Sequence, residues 1–256
     1  MAGKVITVAN QKGGVGKSTL THLLAHGFKA KGYSVLAVDL DIQGNLTYAL
    51  NVDEPSQSTY DLLTNKATAQ QIRIQLEGMD VLPANSNLAG IDLEIKALGK
   101  EYRLKNALNG MQAVYDYIII DTPPTLSLLT VNALTASDYV LIPTQADIFS
   151  LQGLGQLYGT IQAVQDYTNP ELQIAGIIVT RHNPRTILAQ DITEMLEGTA
   201  KDLDTIVFKA RIREAVAIKE AQAQRTDFLG YASSSKAKDD VRHLIDEILN
   251  VIQKGK

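Results

Sequence analysis

The chain has 256 residues, a formal charge of −4, 45% hydrophobic residues and no cysteine. A disulfide framework and a thiolate metal site are therefore excluded, and so is a protein that is basic all over. The charge is uneven: residues 1–200 hold 13 Lys and Arg against 19 Asp and Glu, whereas residues 201–256 hold 11 against 9. A polyanion would therefore meet its basic patch in the C-terminal part. The missing cysteine fits a reducing cytosol. No basic region followed by an apolar core marks a secretory signal, and no run of about 18 apolar residues marks a membrane span.

The first strand begins at about Lys4 and runs through Val5-Ile6-Thr7-Val8-Ala9, an apolar stretch that reads as buried. Leu20 to Lys31 reads as a helix closing at Gly32. Between them stands Asn10-Gln11-Lys12-Gly13-Gly14-Val15-Gly16-Lys17-Ser18-Thr19. Strand, glycine-rich turn and helix together form the setting of a phosphate-binding loop. Glycines let the backbone approach an anion and turn N–H groups inward. The helix N-terminus adds its partial positive charge. Lys17 reaches the β- and γ-phosphates, and the Ser18 hydroxyl ligates Mg²⁺.

The general pattern G-x-x-x-x-G-K-[ST] would place its first glycine at Gln11; here Lys12 precedes the glycines instead. The narrower pattern K-G-G-x-G-K-S-T resembles the deviant Walker A loop of the ParA/MinD family of P-loop ATPases. The resemblance makes Lys12, Gly13, Gly14, Val15, Gly16, Lys17, Ser18 and Thr19 the nucleotide loop. It also implies that Lys12 reaches across a dimer interface to the partner's nucleotide.

The second strand, Ser34 to Val38, runs into Asp39-Leu40-Asp41-Ile42-Gln43-Gly44-Asn45. Carboxylates at the C-terminal end of a parallel strand lie where α/β sheets bind ligands. The segment is similar to the family's D-x-D-P-Q-G-N, with Ile42 at the proline. The resemblance gives Asp41 the task of polarising the attacking water and helping to hold Mg²⁺. A polar loop, Asn51 to Ser58, is followed by short helices near Thr59–Leu63 and Ala69–Leu76, then by a strand from Asp80 to Ala84. Leu88 to Leu98 and Tyr102 to Val114 read as helices at 3.6 spacing.

Tyr117-Ile118-Ile119-Ile120-Asp121-Thr122-Pro123-Pro124 is an apolar strand ending in an acid. Such a strand delivers Asp121 to the water shell of a metal, as P-loop NTPases require, and D-T-P-P is similar to the family's continuation. Another strand, Tyr139 to Ile142, ends at Asp147, which has two readings. By resemblance it touches the partner's nucleotide; by position it caps the helix that runs to about Tyr167. Ile174 to Thr180 is the next strand and Ile206-Val207-Phe208 the last. The stretch from Lys209 to Arg225 is similar to the family's I-P-R-N-x-x-x-x-E-A, with Arg213 at the proline and Glu214 at the arginine. The resemblance places Ile212 and Arg213 near the base of the nucleotide. His182, beside the basic edge, is a candidate phosphate contact. The chain closes with Asp239 to Ile252, whose Val241, Leu244, Ile245, Ile248, Leu249 and Ile252 form one apolar stripe.

These readings predict a single domain over 1–256: an α/β, doubly wound, mostly parallel twisted sheet with helices on both faces, of the deviant Walker A P-loop type. No helix-turn-helix segment precedes it, which leaves sequence-specific operator binding without a seat. The resemblance implies a Mg²⁺-dependent ATPase, turning ATP into ADP and phosphate, for plasmid or chromosome partition. ATP would join two subunits, the dimer would bind DNA without sequence preference, and a ParB-like partner would stimulate hydrolysis. The expected location is cytoplasmic and nucleoid-associated. Arg185, Arg211, Arg213 and Lys219, with Arg242, are the expected DNA contacts along one edge. Two alternatives keep the ATPase: another cargo, such as a protein microcompartment or cluster, or a MinD-like membrane association through the terminal helix. Asp239, Asp240, Asp246 and Glu247 on that helix oppose anionic lipid, so no membrane is expected.

Overall fold

The computed structural model describes residues 2–182, 187–231 and 235–254. Among them seven strands form one sheet: β1 Lys4–Val8, β2 Val35–Asp39, β3 Ile74–Leu76, β4 Met79–Leu82, β5 Tyr117–Asp121, β6 Tyr139–Gln145 and β7 Gln173–Thr180. Their order is β3-β4-β2-β5-β1-β6-β7. Every neighbouring pair is parallel except β3 with β4 at the edge. The chain winds from β1 toward β2 on one side and toward β6 on the other. The crevice beyond the carboxyl end of β1 is therefore a topological switch point, where such sheets bind ligands.

The helices are α1 Lys17–Ala30, α2 Asn45–Ala49, α3 Thr59–Leu63, α4 Ala69–Ile72, α5 Ile91–Glu94, α6 Arg103–Leu108, α7 Leu128–Ala136, α8 Ile148–Tyr167, α9 Ile187–Asp202, α10 Val216–Ala223, α11 Phe228–Tyr231 and α12 Lys236–Lys254. Alternate residues of a strand point to opposite faces. Ile6, Val8, Ala37 and Ile119 pack with α1 and α12, whereas Val5, Val38, Ile118 and Ile120 pack with α3, α6 and α7. Both faces are covered, which is why the strands are continuously apolar rather than alternating. A third cluster joins β6 and β7 to α8 and α9.

The terminal stripe packs on the sheet. Val241, Leu244, Ile245, Ile248, Leu249 and Ile252 are all buried. The approach to α1 is so close that a Cβ on Gly27 would lie 2.0 Å from Ile245 Cδ1. The apolar face a membrane would need is thus already occupied. No helix of the described residues is long and apolar enough to cross a membrane.

Three expectations are corrected. The helix expected over Ala69–Leu76 stops at Ile72, and Ile74–Leu76 becomes β3, because pairing with β4 outweighs helical spacing. The helices expected over 88–98 and 102–114 break into the 3₁₀ turns Ser86–Gly90, Lys100–Tyr102 and Met111–Ala113 around α5 and α6. Gly99 and Gly110 take positive φ, 73° and 90°, immediately before the second and third of these turns, and so interrupt the helical path. Ile206-Val207-Phe208 contributes only a single bridge, Val207 to Ile177, rather than a strand.

Candidate functional site

The loop between β1 and α1 is pinned from three sides. Asn10 Nδ2 donates to Pro143 O (2.7 Å), Gln145 Nε2 to Gly14 O (3.1 Å) and Thr180 Oγ1 to Val15 O (2.7 Å). Val15 itself is fully buried. Gly14 and Gly16 have φ of 75° and 91°, a conformation side chains rarely adopt. Space stands open around Gly13 and Gly14, where an added Cβ would meet nothing within 4 Å.

Gly16 caps α1 without a side-chain hydrogen bond, and no acid stands in the first turn. The N–H groups at this helix start are left for an anion. Lys17 is buried and its Nζ donates to Lys12 O at 3.2 Å. Burial pulls its pKa down, and the charges of Asp121 and Asp41 oppose that shift.

The two strand-end acids divide the work. Asp39 and Asp121 are register partners on β2 and β5, and both are fully buried. Asp39 accepts hydrogen bonds from Thr47 N (2.8 Å), Thr47 Oγ1 (2.7 Å) and Asp41 N (2.9 Å). It holds the 41–47 loop against the sheet, and burial pushes its carboxyl up to about 6. Among the described residues Asp121 has no hydrogen-bond partner on either oxygen. Burial and the neighbouring Asp39 push it well above the ordinary carboxylate range. The nearby Ser18 hydroxyl opposes that rise without making a regular hydrogen bond. An acid buried without a partner is costly, and the water shell of a divalent cation would supply what Asp121 lacks. Asp41 is buried at the edge of the same cleft and turns the chain by accepting from Gln43 N at 3.1 Å. No group of three or more His, Asp or Glu side chains among the described residues forms a metal cage. The set Ser18, Asp41 and Asp121 therefore fits a Mg²⁺ held largely by phosphate and water.

A cleft of about 450 Å³ opens over these groups, lined by Gly13, Lys17, Ser18, Asp41, Gln43 and Tyr48 among others. Beside it a narrow slot of about 70 Å³ is lined by Val15, Leu20, Ile212, Arg213, Ala215 and Ile218. The expected base-side residues, Ile212 and Arg213, stand in this slot. Lys12 lies at the loop's outer rim and forms an ion pair with Asp147, which also accepts from Ser150 N (3.1 Å) to cap α8. The capping reading of Asp147 is the one seen in this subunit.

The basic edge is less uniform than expected. Arg213 is forked on Asp240, with one nitrogen 2.7 Å from Oδ1. Lys219 lies 2.8 Å from Glu214, and Arg211 lies 3.9 Å from Glu197. Arg242 departs from this edge and lines a separate cavity with Gly27, Lys31, Asp227 and Asp246. Residues 240 and 242 project from nearly opposite sides of a helix. Arg185 falls outside the described residues. His182 is half-buried with Nδ1 unpaired, and burial together with Arg211 drives its pKa down, so it is a poor phosphate cation.

Sequence reasoning missed Arg181 and Gln222, which line both the cleft and the slot. Gln222 Nε2 donates to Thr19 Oγ1 at 3.0 Å across 203 residues of chain, a pairing that carries no local signal.

A family model described as an AAA domain matches residues 3–174. The chain is 39% identical over 251 residues to the sporulation initiation inhibitor protein Soj of Bacillus subtilis, covering 96% of this chain and 98% of that one. It is 37% identical over 225 residues to the chromosome partitioning protein ParA of Caulobacter vibrioides, with 85% and 83% covered. Among solved structures it is similar to a cobyrinic acid a,c-diamide synthase of Mycobacterium smegmatis with bound ATP analog and magnesium. That likeness has a TM-score of 0.86 and 32% identity and covers 99% of this chain and 97% of that one.

Proposed function

Since the chain belongs to the ParA/MinD family of P-loop ATPases, on its partition side with Soj and ParA, we propose that it hydrolyses ATP as a nucleotide-switched dimer on DNA. The observation that carries this reading is the cleft: an unpartnered buried Asp121 and a buried Lys17 at the start of a helix without acids. Lys17 and the N–H groups of the loop bind the phosphates, Ser18, Asp41 and Asp121 hold Mg²⁺ directly or through water, and Asp41 orients the attacking water. Mg²⁺, when bound, offsets the charge of the β- and γ-phosphates. The base enters the slot beside Ile212 and Arg213. The whole chain acts as one P-loop domain around one sheet.

Lys12 is the residue that leaves its own subunit. In this structure it is held by Asp147 at the rim of the loop, about one-quarter to one-third exposed at each partner (28% and 33%). A pair this exposed holds by only about 0–1 kcal/mol, so a second subunit's nucleotide easily competes for the lysine. The dimer doubles the basic residues near the end of β7 and so binds nucleoid DNA through phosphate contacts, without reading bases. A ParB-like protein stimulates turnover and sets the cargo. The membrane alternative loses its surface, because the α12 stripe is buried.

The test is light scattering with ATP, ADP and a slowly hydrolysed ATP analog, paired with phosphate release. Dimerisation with ATP or the analog only is expected, and Asp41→Ala should remain dimeric in ATP without releasing phosphate. Full phosphate release by Asp41→Ala would remove the catalytic assignment.

A further inference from the structure

Arg181 is the first residue after β7, and its backbone is left-handed, with φ 49°. That conformation costs a non-glycine residue about 1–2 kcal/mol, and such strain gathers at ligand clamps. What imposes it is visible on both sides. The one Thr180 hydroxyl proton is shared between Val15 O (2.7 Å) and Thr144 O (3.0 Å), and the His182 N–H donates to Ile212 O (3.0 Å). Two anchored neighbours leave Arg181 to turn outward between them.

It turns into the gap between the two cavities. Gly16, Thr19, Arg181 and Gln222 line both the slot and the cleft, and Arg181 is the charged member of that set. Its guanidinium makes no hydrogen bond or ion pair with any described residue, whereas Arg213, Lys219 and Arg225 are paired with Asp240, Glu214 and Asp53. Glu214, on the slot wall, is held below the usual carboxylate range chiefly by Lys219, with a smaller contribution from Arg181.

We propose that Arg181 is a nucleotide clamp whose guanidinium plane lies over the base where the slot opens into the cleft. The proposal rests on the nucleotide reading of the cleft. The phosphate end is already served by Lys17 and by the helix start. The slot end is walled by Val15, Leu20, Ile212 and Ile218, which suits a flat aromatic ring. A guanidinium stacks on such a ring far better than an ammonium does.

The experiment measures the affinity of the full chain for Mg²⁺·ADP, Mg²⁺·ATP and pyrophosphate, by calorimetry, for wild type, Arg181→Ala, Arg181→Lys and Arg181→Gly. Arg181→Ala is expected to weaken both nucleotides about tenfold and to leave pyrophosphate unchanged. Arg181→Lys should recover little of the loss. Arg181→Gly should lose the same affinity while melting at a higher temperature, because the strain is relieved. Wild-type affinity for ADP in Arg181→Ala, an equal loss for pyrophosphate, or full rescue by lysine would each overturn the clamp. A wild-type protein that binds pyrophosphate but neither nucleotide would instead sink the nucleotide reading, and the clamp with it.

Discussion

The nucleotide cleft and the basic edge use the same kinds of charged residue in opposite ways. In the cleft, Asp121 is buried with no hydrogen-bond partner, and Lys17 is buried against a backbone carbonyl. At the edge, Arg213 and Lys219 are already paired with acids of their own chain. Buried polar groups that the fold leaves incompletely satisfied are expensive and persist where a ligand completes them. Paired surface charge is cheap and marks a surface by its sum rather than by any one residue. The cleft is therefore specified residue by residue, whereas the edge is specified only as a region.

The largest effect should come from the cleft. Lys17→Ala removes a charged donor from a desolvated site and should weaken ATP binding about 100-fold, measured by fluorescent-nucleotide titration. Retained affinity would show that the helix N–H groups suffice and that Lys17 is a structural counterion.

Asp121→Asn is the sharper test of the comparison, because it neutralises the unpartnered acid without changing its shape. The nucleotide-free protein should melt about 2–4 °C higher, and the stabilisation conferred by Mg²⁺ with ATP should shrink. Calorimetric scans with and without Mg²⁺·ATP read both. A lower melting temperature in the nucleotide-free variant would mean that the acid is structurally paired after all.

At the basic edge the informative change removes an acid rather than a base. Asp240→Asn frees Arg213, so DNA affinity at low salt should rise several-fold and the salt dependence should steepen by about one unit of slope per subunit. Fluorescence anisotropy on two unrelated duplexes measures this. An unchanged slope would remove Arg213 from the DNA surface.

The smallest expected effect lies between the two regions. Lys12→Ala breaks the pair with Asp147 but leaves the α8 cap from Asp147 to Ser150 in place. The subunit should lose less than about 1 kcal/mol of stability in denaturant titration, while ATP-dependent dimerisation fails. A large loss of subunit stability would make Lys12 a structural residue of its own chain.

Local chemistry made the cleft legible. The strand before Asn10, the glycines at positive φ, Lys17 opening α1, and the acids closing β2 and β5 are each written within about ten residues. They obey the periodicities of 2.0 and 3.6 and the turn chemistry of glycine. The α12 stripe was legible for the same reason. What sequence reading missed depends on distant contacts. β3 exists because β4 pairs with it, and Ile206–Phe208 fails to become a full strand beside β7. Asp39 and Asp121 carry similar local patterns, yet Thr47 and the Asp41 N–H satisfy one and no hydrogen bond from the described residues satisfies the other. Asp240 reaches Arg213 across 27 residues and Gln222 reaches Thr19 across 203. Arg181 becomes a candidate ligand residue because two anchored neighbours force its backbone over. Pairing, burial and strain of this kind arise from surfaces meeting in the folded chain, and no local pattern encodes them.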